Sequence, residues 1–518
     1  MRRLWHIGVM IGVLALVFAP APLLSAPAQP QRGGVIRHAH TGDPPSLDLH
    51  WTSVTITRDI GVHMYEGLFA LNAAYEPRPL LVERWTMSPN RLLYTFYLRK
   101  GVQFHNGKEM VADDVIASLT RWGRVAARGR ELFRDVQSLT APDRYTVELR
   151  MREPNALTLL NLGFPGQGAV IYPKEVVDEA GTGQIRRFIG TGPYKFGEYL
   201  PDRHVRLDRF DQYKSVDEAP SGFAGRREAY VDSIFFLSLP DPAVRVAGVT
   251  RGEYQFADTV PHDEFPRLQG VRGVVPFVIP VPAWQGFIFN KRQGVMTDVR
   301  MRRAVQVALD MDAILRGTFG PRQFWRVDPG MMPKEHPLWN DAGKEFYNQK
   351  NPERARQLLA EAGYRGQPIR WLVSSEFVPH LTATSIAKAQ LERAGFVIDL
   401  QVSDTATVGT RRARPDLYDV FTTGFSFVPD PTNLLVLLPS FPGWYESREM
   451  DAHLKLLTRH TDPKVRKEIW KRAQRQFYED AATVKIGDWY WLHALREEVK
   501  GFTGVPGPYY WNVWLDRR

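Results

Sequence analysis

The chain has 518 residues, 44% of them hydrophobic and 24% charged, an ordinary globular balance in a length that calls for two or three domains rather than one core. It contains no cysteine, which excludes disulfides, thiolate metal sites, a cysteine nucleophile and a lipid-anchored cysteine at a processed N-terminus. The formal net charge is +10, yet acids are interleaved with the Lys and Arg and no nucleic-acid-binding module is legible, so a solvated basic surface is expected.

Met1-Arg2-Arg3 followed by the apolar run Ile7 to Phe18, with small residues at Ala26-Pro27-Ala28, reads as a cleaved export signal over residues 1–28. The run is too short for a comfortable membrane span, and no other stretch is apolar enough to cross a bilayer. Gly33 to His40 reads as a first strand. His38 and His40 point the same way on it, as a metal pair would, but no acid or third ligand lies nearby in the chain, and no metal site or cofactor is expected.

Tyr65 to Asp114 reads as a small α+β module: a helix end at Tyr65-Glu66-Gly67-Leu68, alternating strand residues at Leu92 to Leu98, a tight turn at Asn106-Gly107 and a helix from Ala112 to Trp122. Arg144 to Met151 adds a strand with period-two alternation. Ile189-Gly190-Thr191-Gly192-Pro193-Tyr194 lacks the third glycine of a dinucleotide loop, and its glycines suit a strand crossing between domains. Tyr230 to Leu239, the helix Ala243 to Val249 and the segment after Gly252 suggest a βαβ unit with parallel strands.

Trp284 to Asn290 reads as a strand, after which Thr297-Asp298 caps a helix predicted to run to about Arg316. Asn351-Pro352 opens a helix that Gly363 closes; Ile369 to Ser374 and Phe396 to Val402 are strands flanking another helix, and Asp462-Pro463 opens one more. The aromatic tail, Trp489 to Leu515, is expected to return to the first domain.

The order YEGL, then P-x-L-x-x-x-W, then YTFYLRKGVQFHNGKEMVADDV, followed by GTGPY at Gly190 to Tyr194, resembles the extracytoplasmic solute-binding proteins of the dipeptide, oligopeptide and nickel class (solute-binding protein family 5), which serve ABC importers. The resemblance implies an α/β fold of the type II periplasmic-binding-protein kind, two lobes around a cleft plus an extra α+β domain. Lobe I would comprise residues 29–49, 181–284 and 485–518, the extra domain 50–180, and lobe II 285–484. It implies a periplasmic, monomeric protein that closes on a peptide or other small solute and delivers it to a membrane permease and its ATPase subunits.

In the peptide-binding members an acid after a Gly-Trp pair holds the peptide's amino terminus. Here the matching stretch is Thr423 to Pro431; Phe425 takes the tryptophan position, Val428 or Pro429 falls where the acid would be, and Asp430-Pro431 fits a later part of the pattern. Ligand-binding candidates are therefore Trp284, Phe425, Phe427, Asp430, Trp444 and Tyr445, an aromatic wall in place of the acid. No G-x-S-x-G elbow, H-E-x-x-H or Walker loop is present. A non-enzymatic binder is the reading, with an exported hydrolase on the same scaffold as its alternative.

Overall fold

The computed structural model describes residues 29–375, 377–504 and 507–517; the expected export signal lies outside them. Among the described residues, no helix is long and apolar enough to cross a membrane.

The first lobe is built on a seven-stranded sheet with Val35–His40 near its middle. That strand runs parallel to Ser233–Ser238 on one side and Phe256–Ala257 on the other. The helix Pro242–Arg251 makes the crossover, started by Asp241, whose side chain accepts the Ala243 amide at 2.8 Å, and stopped by Gly252 in the left-handed region. Leu492–Arg496 pairs beside Phe256–Ala257 and then with the edge strand Val274–Val278.

The second lobe carries a six-stranded sheet. Two of its strands, Ala283–Phe289 and Thr483–Trp489, are buried at every position, as strands covered on both faces must be. Val420–Phe425 pairs antiparallel with Ala283–Phe289, and Ile369–Ser374 and Ile398–Ser403 run parallel, joined by the helix Val378–Arg393.

The chain passes between lobes twice, at 279–282 and at 490–491. The two passages lie side by side: Val278 is registered with Leu492 in the first sheet and Ala283 with Trp489 in the second. The Ile279 amide donates to the Trp491 carbonyl at 2.9 Å between them. The expected boundaries at 285 and 485 thus fall inside strands of the second sheet, and Trp284 belongs to the second lobe. A strand buried on both faces shows no alternation from which its sheet could be read.

The extra module has its own four-stranded sheet, in the order Val82–Met87, Leu93–Leu98, Thr146–Met151, Val136–Asp143. The helix Ala112–Val125 covers it, burying Val115, Leu119 and Trp122 completely. Two local expectations change. The helix before this module is Thr55–Gly61, ending before Tyr65, and its Ile56 and Ile60 pack in the first lobe's core. The helix expected to run from 298 to 316 is two, Val299–Ala308 and Met311–Phe319, because Asp310 accepts the Ala313 amide and caps a second start. Gly190 and Gly192 lie between Ile189, packed on the extra module's core, and Tyr194, where the chain enters the first sheet. A Cβ on either would stand 2.0 Å from the Met64 oxygen or 2.4 Å from the His63 oxygen, so only glycine lets this segment lie on that backbone.

The extra module also reaches the second lobe. Arg459 pairs with Asp135 at 3.1 Å, and the Ala156 amide donates to the Thr458 carbonyl at 2.7 Å.

Candidate functional site

The end of the second sheet next to the crossings gathers the residues of interest. Trp284 and Phe425 are registered partners on neighbouring antiparallel strands, so their side chains leave the sheet on one face. Their rings stack with centroids 4.2 Å apart at an interplanar angle of 24°, the offset arrangement that aromatic pairs favour. Phe441 packs behind Phe425 at 5.8 Å. Beyond the strand, Phe427 turns outward and lines a small cavity together with Trp284, Met331, Met332 and Asp488. Tyr75, from the extra module, stacks on Phe427 at 4.1 Å, so the extra module meets the second lobe here.

The opposite face of the same strand end holds polar groups with no partner. Gln285 is 1% exposed, yet neither its side-chain oxygen nor its nitrogen has a hydrogen-bond partner among the described residues. Trp489 Nε1 and His380 Nε2 are likewise unpartnered and buried. Sheet register places them together: Gln285 is registered with Gly424 and Gly487, and Ala283, two residues earlier on the same face, with Trp489. His380 Nε2 lies 3.0 Å from where a Cβ on Gly424 would stand, so glycine there admits the imidazole. Burial holds the His380 pKa down to about 4, leaving the ring neutral, and Phe377 packs on it at 4.2 Å. Buried polar groups without partners are costly.

A charged cluster fixes the floor. Asp488 is contacted by Lys485 and by Arg326, each at 2.7 Å. Burial pushes its carboxyl up, against the pull of Lys485 and Arg326. Arg326 also grips Glu335 with two bonds of 2.7 and 2.9 Å, the bidentate form that suits a guanidinium. These groups satisfy one another and hold the crossing strand in place.

The candidates read from the sequence divide. Trp284, Phe425 and Phe427 come together at the site. Asp430 lies behind it, 4% exposed, paired with Arg466 and accepting the Thr432 amide at 3.0 Å. Trp444 and Tyr445 follow Gly443, which packs on Ile288 at the other end of the Ala283–Phe289 strand. Trp444 lies under the Arg292 guanidinium at 5.0 Å, and the Tyr445 hydroxyl donates to Asp480 at 2.5 Å. Sequence reasoning missed Gln285, His380, Trp489, Met331 and Tyr75. Gln285 had a usable signal, being a lone amide in the otherwise apolar strand AWQGFIF.

Comparison with known proteins adds the following. The family model described as bacterial extracellular solute-binding proteins, family 5 Middle, matches residues 76–445. A probable peptide ABC transporter periplasmic-binding protein of Sinorhizobium fredii is 26% identical over 482 residues, 89% of this chain and 90% of that protein. The glutathione-binding protein GsiB of Pectobacterium atrosepticum is 24% identical over 508 residues, 94% of each chain. Among solved structures, the periplasmic binding protein DppA from Helicobacter pylori, in complex with the peptide STSA, superposes with a TM-score of 0.80 at 22% identity, covering 94% of this chain and 99% of that one. The fold expected from the sequence, two α/β lobes of the type II kind with an added module, is the fold of these structures.

Proposed function

The chain belongs to the bacterial extracellular solute-binding proteins of family 5, and on that premise we propose that it captures a peptide or other small solute between its lobes and delivers it to the permease of an ABC importer. The observation that supports this best is the small cavity beside the crossings, where the Trp284–Phe425 stack meets Phe427, Met331, Met332 and Asp488. An apolar wall with a few polar groups is what a small-molecule site requires. Trp284, Phe425 and Phe427 form the wall of the site in this reading, and Asp488 is the charged group that lines it. Asp430, spent on Arg466, does not hold an amino terminus, so a peptide would be held by other means than in relatives with the acid.

Open and closed forms would be in equilibrium, and the solute would favour closure only by contacts made to both lobes. The paired passages at 279–282 and 490–491 are the natural place for bending. In the same reading the protein works as a monomer in the periplasm, reached through a cleaved signal over residues 1–28, and performs no chemistry on what it carries. The test is native mass spectrometry of gently purified protein. A retained small molecule, released unaltered on denaturation and displaced by an authentic standard, supports the reading; protein that carries nothing and turns over an ester, amide or glycoside panel favours the hydrolase.

A further inference from the structure

The buried ends of three strands in the first sheet bring together residues that the sequence keeps far apart. His38 and His40 are 0% and 3% exposed and Asp258 is 7% exposed, and one ligand atom from each lies within 4.8 Å of the others. The imidazoles are stacked, with centroids 4.9 Å apart at 16°. His493, on the strand that leaves the second crossing, approaches Asp258 Oδ1 with Nδ1 at 2.9 Å. The sequence offered no third ligand for the His38–His40 pair; the fold supplies an acid and a third imidazole.

Two imidazole nitrogens of this cluster meet a backbone donor and a carboxylate at once. A backbone N–H can only donate. The Thr41 amide lies 2.8 Å from His40 Nδ1 and the Thr259 amide 3.1 Å from His493 Nδ1. The same nitrogens face the Asp258 carboxylate, His40 Nδ1 at 3.5 Å from Oδ2 and His493 Nδ1 at 2.9 Å from Oδ1. A nitrogen that accepts from its amide turns a lone pair to the carboxylate, an arrangement that a cation between them would satisfy. His38 Nε2 adds another buried nitrogen without a partner.

We propose that His38, His40 and Asp258 bind one divalent transition-metal ion of the zinc kind, with His493, 2.9 Å from Asp258, turning in as the fourth ligand. Three imidazoles and one carboxylate make a four-coordinate set of borderline ligands, which favours zinc and its neighbours over calcium or magnesium. His38 binds through Nε2, with Nδ1–H donating to the Tyr510 hydroxyl oxygen at 2.9 Å. Such an outer partner fixes the tautomer of a metal-bound imidazole. His40 binds through Nδ1; its Nε2 has no hydrogen-bond partner among the described residues and lies 3.6 Å from Asp59 Oδ2. The amides of Thr41 and Thr259 lose their acceptors on binding, and neither residue is buried, so solvent takes them up. Bonds of about 2.0–2.1 Å to nitrogen and oxygen place tetrahedral ligands about 3.3 Å apart, so the cluster contracts by side-chain rotation when it closes. The ion ties the first strand of lobe I to the strand emerging from the crossing. It is separate from the solute site and independent of that assignment.

The experiment is zinc titration of tag-free full chain stripped with chelator, followed by calorimetry and thermal melting. One equivalent should bind, with a rise in melting temperature, and Asp258→Asn and His40→Ala should each weaken uptake at least about tenfold. Trp284→Phe should bind zinc as the unmodified chain does. Should the histidine variant fail to fold, cobalt loading of the unmodified chain decides the matter: a strong visible absorption of tetrahedral type, absent in Asp258→Asn, supports the site. No saturable uptake, or uptake unchanged in Asp258→Asn, or uptake lost in Trp284→Phe but kept in Asp258→Asn, overturns it.

Discussion

The indole of Trp284 and the ring of Phe425 lie 4.2 Å apart as registered partners on adjacent strands, so the proposed wall of the site is part of the second sheet rather than a loop laid on it. Residues on a rigid element are positioned by the whole sheet. Trp284 is 6% exposed, so it both faces the cavity and fills the core. Truncation to alanine would cost about 3–5 kcal/mol of stability and blur the readout. Trp284→Phe keeps a ring on Phe425; it should weaken binding of the co-purified solute at least about tenfold, about 1.4 kcal/mol, with a small change in melting temperature. Unchanged affinity by calorimetry would remove Trp284 from the site.

Gln285 separates stability from function. Its amide is buried with neither end bonded, so the unliganded protein carries a desolvation penalty that an apolar side chain of similar size relieves. Gln285→Leu should raise the stability of the stripped protein by about 1 kcal/mol or more and, because the amide lies across the sheet from the Trp284–Phe425 wall, leave solute affinity nearly unchanged. Urea denaturation and calorimetry on one preparation test both halves. A variant less stable than the original, or one that binds solute markedly more weakly, would contradict this placement.

Tyr75 and Phe427 join the extra module to the second lobe through a stack at 4.1 Å. Aromatic pairs contribute about 0.5–1.5 kcal/mol beyond area burial, and this one exists only while these two parts are together. Tyr75→Ala should speed solute release by between about two- and tenfold and leave the association rate nearly unchanged. Stopped-flow fluorescence reads both rates; a slower release would contradict a closing contact.

His63 sets a pH dependence whose sign follows from its partners. Its Nε2 accepts the Tyr510 amide at 2.9 Å, which requires that nitrogen to be bare. Burial holds its pKa down to about 4, and His50, also fully buried, is held at about 4 by the same cause. The unfolded chain takes up these protons as pH falls below about 6.5, while the folded chain does so only near 4. Stability is therefore fully present above about 6.5 and falls on acidification, by about 1.4 kcal/mol per pH unit for each histidine. Denaturation between pH 7 and 5 should show this slope; flat stability over that range, with His63 titrating near 6.5 by NMR, would refute it.

What the sequence revealed was mostly local. Asp241-Pro242, Asn351-Pro352 and Asp462-Pro463 announce helix starts because a cap is a contact between near neighbours, and each caps the expected helix. The alternation of Leu93–Leu98 is visible because one face meets the module's core. Ala283–Phe289 and Thr483–Trp489 carry no such pattern, and the lobe boundaries slid into them. Phe425, Phe427, Trp444 and Tyr445 are alike in composition, and only the tertiary fold separates the first two from the others. The unpartnered groups of Gln285, His380 and Trp489 are joined solely by folding, as are His40, Asp258 and His493.

The central claim is that two lobes shut on a solute at the Trp284–Phe425 wall, and small-angle scattering tests it most directly. The protein is stripped by mild denaturation, refolded, and measured before and after its own co-purified solute is returned. The account predicts a smaller radius of gyration on addition, reversed by stripping, with the solute recovered chemically unchanged. Identical profiles in both states, with the solute recovered as a reaction product, would contradict it.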